Sequence, residues 1–331
     1  MSTYSANLRL NLTGAEAEPA ARSERYRQAI EMAAYADRAG FSSVNVEEHH
    51  VAENGWLPSP MTMAAAIAAR TEHCSIGVMA LLVSLYDPIR LAEDIAVVDL
   101  LSRGRFTFIA GLGYRDIEFH IANKPFEGRG AWMDHVLETL LKAWADEPFD
   151  YQGRSVNVTP KPFSRPHPPF LVGGMSKPAA RRAARLGLPF GPPVADPELE
   201  GYYYEQLAAF GTEGFVYSPP ADFSVLFIDE DPDKAWNELG RYFLNEALEY
   251  SSWRTAGVKR PLEFDSHSVA ELRAQGRYEI ITPEECLSRH RSRSDFFATI
   301  HPLIGGIPLK RGWRCLELYT EKVLAPLLAE S

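Results

Sequence analysis

Glu47-Glu48-His49-His50 follow the strand-like stretch 41–46 and put two carboxylates beside two imidazoles. An imidazole titrates near neutral pH, so a histidine set by Glu47 or Glu48 suits proton transfer. Neighbouring histidines after a strand diverge, which makes His49 and His50 a poor chelating pair for zinc. Hydrogen-bonded strand-end structure is the plain alternative. A second group is Gly173-Gly174-Met175-Ser176, after the strand-like 170–173 and before a helix pattern at 178–186. Glycines let a backbone approach a ligand, Ser176 can cap, and Pro178 suits a first helical turn. Helix N-termini attract anions, and Lys177, Arg181 and Arg182 add positive charge, so a phosphate site is expected, with an ordinary tight strand–helix turn as the plain alternative. The dinucleotide fingerprint is absent, because Gly111-Leu112-Gly113 lacks its third glycine. A third group joins two apolar runs, 75–83 and 106–114. Met79, Ala80 and Gly111 at their ends offer a flat wall for an aromatic ring, with Tyr114 closing the second run; barrel core is the plain alternative, and for most of these residues the stronger one. His301, after another apolar segment, either faces the same pocket or simply ends its strand.

These residues need a scaffold that gathers strand ends. Strand patterns occur at 7–12, 41–46, 75–83, 106–110, 170–173, 188–190, 224–228 and 296–301. Helical spacing separates them, with a first helix capped by Ser23 and ended by Gly40. Sustained alternation of this kind means parallel strands. Eight strands favour a (β/α)8 TIM barrel with insertions over an open doubly wound sheet, and barrel active sites lie at the C-terminal strand ends. The chain reads as a single domain, 1–331. The Pro-rich stretch 148–169, with the turn composition Asp150-Tyr151-Gln152-Gly153, is one insertion. The polar stretch 251–278 is a second, and a possible lid.

Composition narrows the partners. A formal net charge of -10 argues against a nucleic-acid backbone or a polybasic membrane contact. Three well-separated cysteines, Cys74, Cys286 and Cys315, suggest a reducing compartment. The first residues lack a signal-peptide pattern, and no apolar run is long enough to span a membrane. A cytoplasmic protein acting on small molecules is expected.

In this order the motifs resemble the bacterial luciferase-like family of flavin-dependent monooxygenases and oxidoreductases. The carriers are EEHHVAENGWLPSP at 47–60, SIGVMALLVSLYDPIRLAEDIAVVDLLSRGRFTFIAGLGYRDIEF at 75–119 and PFLVGGMSKPAARRAARLG at 169–187. ITPEEC at 281–286 and LELYTEKVLAPL at 316–327 also fit. The resemblance implies a barrel with flavin at its mouth, commonly in a homodimer. It implies reduced FMN from a separate reductase and oxygen as co-substrate, with a small apolar or aromatic compound oxygenated. His49 corresponds to the family's active-site histidine, with His50 the second candidate. Met79–Ala80 match the place of a non-prolyl cis peptide under the ring, and Gly173, Gly174, Met175 and Ser176 match the phosphate loop. Luciferases proper carry a cysteine and an arginine where this chain has Gly111 and Leu112, and an acidic residue where it has Gly174, so light emission does not carry over. Deazaflavin-dependent hydride transfer on the same fold is the first alternative. A metal-dependent hydrolase using both histidines is another, and a flavin-binding subunit without activity is a third.

Overall fold

In a computed structural model, residues 5–14, 18–253 and 266–330 are described. The first half alternates without interruption: β1 (Ser5–Leu10), α1 (Pro19–Ala39), β2 (Ser43–Val46), α2 (Pro60–Ala68), β3 (Ser75–Leu81), α3 (Pro88–Ser102) and β4 (Phe106–Ala110). Two helices follow, α4 (Asp116–Ile121) and α5 (Arg129–Trp144), and then the hairpin β5 (Phe149–Tyr151) and β6 (Arg154–Val156). Alternation resumes with β7 (Phe170–Gly173), α6 (Lys177–Arg185), β8 (Phe190–Gly191), α7 (Pro197–Phe210), β9 (Val225–Ile228) and α8 (Pro232–Ser252). The chain closes with α9 (Val269–Gln275), β10 (Tyr278–Ile281), α10 (Pro283–Ser292), β11 (Phe297–Ile300), α11 (Leu309–Tyr319) and α12 (Ala325–Glu330).

Among the described residues, nine strands form one parallel sheet in the order β10-β9-β11-β1-β2-β3-β4-β7-β8. The last strand, β11, returns to pair with the first, Ala6 lying opposite Ala298. This is the curling of an α/β TIM barrel. All eight expected strands are present. Period-two alternation divides each strand. Leu8, Val44, Val46, Ile76, Val78, Phe106 and Phe108 are fully buried in the apolar core shared with the helices. Their alternates, such as Asn7, Asn45 and Thr107, line an internal cavity.

Three details differ from the sequence reading. Helix α1 starts at Pro19 rather than after Ser23, because proline suits the first helical turn. Helices α4 and α7 were not anticipated; α4 is too short to show a period, whereas α7 carries Leu199, Tyr203 and Leu207 at four-residue spacing, a signal that was present. The 251–278 insertion contains α9 and leads directly into β10, which pairs with β9, so its end belongs to the barrel wall. Residues 254–265 of that expected lid lie outside the described residues. The hairpin at 149–156 is as anticipated: Gln152 and Gly153 both have positive φ, 53° and 80°, as a two-residue turn between twisted strands needs.

Asp37 near the end of α1 ties the α2–β3 connection. Its carboxylate accepts backbone N–H groups of Glu72, His73 and Cys74 at 2.8, 2.8 and 2.7 Å. Burial alone would raise this acid, but these donors outweigh burial and lower it to about 2. A depressed carboxyl stabilises the fold above its unfolded value near 3.8, and that stability is lost as pH falls through about 2. Asp37→Asn should therefore cost on the order of 2 kcal/mol near neutral pH, with the deficit shrinking below pH 4, as read from urea midpoints across pH.

Candidate active site

The inner face of β2 presents Ser43 and Asn45, and the same period continues past the strand to Glu47 and His49. All four line a cavity of about 1430 Å³ that takes in the C-terminal strand ends. Small-ligand pockets usually occupy roughly 300–1,000 Å³, so there is room for a large cofactor with a second molecule.

His49 is only 8 % exposed. Its Nδ1 lies 3.0 Å from Oε1 of Glu118, a fully buried carboxylate supplied by α4. The same oxygen accepts the His50 backbone N–H and Arg115 Nη1, each at 3.1 Å. Burial alone would raise Glu118, but the His49 hydrogen bond and charge, the His50 N–H and Arg115 together hold it below its ordinary value. An ionised carboxylate can only accept, so the His49 hydrogen sits on Nδ1 and Nε2 is left to exchange a proton with a bound molecule. Aromatic rings surround the imidazole: Trp253 at 4.5 Å, Trp56 at 5.2 Å, Tyr114 at 5.8 Å and Tyr250 at 6.1 Å between centroids. Arg115 covers Trp253 at 4.1 Å and donates to the His50 carbonyl at 2.6 Å. Burial and the neighbouring Tyr250 push the Tyr114 phenol far above its usual range, so it stays neutral.

His50 takes a different place. Its Nε2 lies 3.0 Å from Glu48 Oε1, and Glu48 also accepts the Leu82 N–H and the Tyr86 hydroxyl. Its side chain is not part of the cavity wall. The expectation that Glu47 or Glu48 sets the active histidine is corrected accordingly: Glu48 holds His50, Glu47 holds Arg9, and Glu118 holds His49. The reason is the divergence of alternate residues past a strand end. His301 is also corrected as a substrate contact: it is 1 % exposed, is not in the cavity wall, and lies 3.4 Å from buried Glu246.

Met79, Ala80, Gly111 and Tyr114 share the cavity wall, and the Met79–Ala80 peptide is cis. The Gly111 N–H donates to Leu81 O at 2.8 Å, and a Cβ on Gly111 would come within 3.0 Å of the Ala80 methyl. Below them, Gly77 leaves a notch. A Cβ there would stand 2.1 Å from Asn45 Oδ1 and 2.7 Å from Met79 Cε. Gly77→Ala should displace both side chains and destabilise by about 1–3 kcal/mol, checked by thermal melts with Gly201→Ala, where a Cβ would meet open space, as reference.

Gly173, Gly174, Met175 and Ser176 lie at the other wall, at the N-terminus of α6. Gly174 has φ 152°, and a Cβ on it would meet the Ala179 methyl at 2.5 Å. Ser176 takes the N-cap position, though its hydroxyl makes no capping bond. Of the cations expected there, Lys177 and Arg182 line the cavity but are already paired, and Arg181 is not in its wall. Lys177 pairs with Glu198 at 3.0 Å, Arg181 lies against Phe210, and Arg182 is held by Asp134 at 2.9 Å. A second helix start, Gly128-Arg129-Gly130 of α5, faces the same cavity. Arg129 Nε is buried there without a protein partner. The glycine cradle, two helix N-termini and this guanidinium suit a phosphate tail.

Comparison with known proteins bears on these features. The family model described as luciferase-like monooxygenase matches residues 9–300. The chain belongs to the luciferase-like monooxygenase family. Within it, the Photorhabdus luminescens alkanal monooxygenase beta chain is 26% identical over 66% of this chain and 70% of that protein. The Acinetobacter baylyi flavin-dependent trigonelline monooxygenase, oxygenase component, is 25% identical over 44% of this chain and 42% of its own length. The chain spans about half the length of the first curated relatives it matches. Monooxygenase RslO1 from Streptomyces bottropensis shares the fold, with TM-score 0.76 at 23% identity over 97% of this chain and 99% of that one.

For this luciferase-like chain, Glu118, Arg115 and Arg129 are the site residues that sequence reasoning missed. Glu118 and Arg115 sit inside the quoted 75–119 motif, three residues apart at the start of a short helix, a spacing at which an acid and a base can pair. Their partner is 69 residues away from Glu118 in the chain, which no local pattern reveals. Among the described residues no three His, Cys, Asp or Glu side chains converge as metal ligands. None of the described helices is long and apolar enough to cross a membrane.

Proposed function

We propose that the chain is the oxygenase component of a two-component monooxygenase, using reduced FMN from a separate reductase to oxygenate a small apolar or aromatic compound. Its setting would be the cytoplasm, as a homodimer. The carrying observation is one cavity whose walls hold both a glycine-framed helix N-terminus and a histidine backed by a buried carboxylate. Gly173 to Ser176 and Arg129 would hold the phosphate, and Met79, Ala80 and Gly111 would support the ring. Bound reduced flavin supplies electrons and activates oxygen for transfer to the substrate. The protein's own part is positional and protic. His49 Nε2 gives or takes a proton, with Glu118 balancing the charge of the imidazolium. Trp56, Tyr250 and Trp253 close off the imidazole and limit water beside it. Tyr114, on the same wall, borders the substrate.

The names of relatives support FMN and a separate reductase: one is an oxygenase component, and a diketocamphane monooxygenase of the same fold was solved with FMN (TM-score 0.69). An F420-dependent secondary alcohol dehydrogenase is nearly as similar in fold, with TM-score 0.67, and keeps the deazaflavin alternative open to test. Fluorescence titration with FMN and with a deazaflavin should show micromolar FMN binding and a much weaker deazaflavin. Photoreduced FMN with the enzyme, ¹⁸O₂ and a panel of aromatic compounds should then place label in a product. Tight deazaflavin binding with no label incorporated would replace this reading by hydride transfer.

A further inference from the structure

The interior of a (β/α)8 barrel is ordinarily filled by layers of bulky branched side chains. Here the cavity that holds His49 continues between the strands, where Asn7, Ser43, Asn45, Ser75, Thr107 and Thr299 line it. Ser43 and Ser75 are the first residues of β2 and β3, at the N-terminal end of the barrel, opposite the mouth. The bulky alternates of these strands point the other way, into the core under the helices. Asn45 Oδ1 and Thr299 Oγ1 are buried without a protein partner, and Thr299 is 2 % exposed. Met79, Ile109, Leu171, Val225 and Phe297 share the inner wall with these polar groups; where a roomy interior holds unsatisfied oxygens, water rather than vacuum sits beside them.

We infer that a hydrated axial channel joins the barrel floor to the His49 side of the cavity, giving water and protons a route that bypasses the mouth. The polar positions Ser43, Asn45 and Glu47 mark its course along β2 towards His49, and Arg9 fixes the Glu47 carboxylate within it. Its ligand is a chain of water molecules, able to pass protons between hydrogen-bonded neighbours. The need for such a route rests on the reading above, in which flavin and substrate fill the mouth.

The test is thiol accessibility from the floor. The native thiols Cys74, Cys286 and Cys315 are all buried, so the parent protein should stay unmodified by methyl methanethiosulfonate. Thr299→Cys, or Asn45→Cys should the first fail to fold, places a reporter inside the channel. Intact mass should show modification that saturating FMN slows by no more than about twofold. Adding Ser75→Phe, or Ser43→Phe, as a floor plug should slow it at least tenfold with FMN bound and at least threefold without. Protection of the reporter by FMN alone, or a plug without effect in either state, overturns the channel. Failure of FMN to bind in a separate titration would sink the cofactor reading, while the plug comparison in the apo protein still decides the channel.

Discussion

His49→Ala is expected to lower turnover by about 10²–10⁴-fold while FMN affinity stays within roughly threefold of the parent, because a positioned proton donor contributes that much and nothing else. The prediction separates His49 from His50. His50 is bound to Glu48 outside the cavity wall, so His50→Ala should act mainly on loop order and stability. Glu118 supplies the pH dependence. It is held below its ordinary value, so the bond to His49 is intact above the normal carboxylate range and is lost as pH falls through the lowered value. Turnover should follow that acid limb. Glu118→Gln keeps a hydrogen-bond acceptor but removes the charge, so a roughly tenfold slower enzyme with a flattened acid limb is expected from stopped-flow rates across pH. An unchanged limb in Glu118→Gln, or a His49→Ala enzyme with parental rate, would remove the pair from the chemistry.

The second large effect concerns binding rather than chemistry. Gly174→Val should weaken FMN at least about 100-fold, which is roughly 2.8 kcal/mol. The backbone at φ 152° disfavours a side chain, and any Cβ meets Ala179 in the first turn of α6 at 2.5 Å. Relief requires the loop to withdraw from the helix N-terminus, which is where the phosphate would take its amide hydrogen bonds. Riboflavin, lacking the phosphate, supplies the control: its weaker affinity should change little. Equal losses for FMN and riboflavin would mean that the loop supports the ring and that the phosphate sits elsewhere, with Arg129 at the head of α5 the next place to look.

Much of the scaffold was legible before any coordinate. Residues 75–83 read as a strand because the run is almost continuously apolar, and β3 occupies Ser75–Leu81 of it; Gly40, with φ 95°, ends α1 as its sequence position suggests. The short strand β10 was not legible. Four residues between two helices carry too little pattern, and what makes Tyr278–Ile281 a strand is pairing with β9, some fifty residues earlier. The same limit applies to charge. Lys177, Arg181 and Arg182 look available to an anion in sequence, yet Glu198, Phe210 and Asp134 engage them in space.

Residue type and local spacing by themselves determined the alternating parallel architecture and the glycine-framed helix start, because periodicity and turn chemistry act over a few residues. Only the folded chain decided which carboxylate serves which histidine, that His301 is walled off beside Glu246, and that Arg129 lines the same cavity as the glycine loop. Those outcomes depend on groups brought together from distant segments. Electrostatics and burial at such meetings are set by three-dimensional distance, on which sequence separation places almost no constraint.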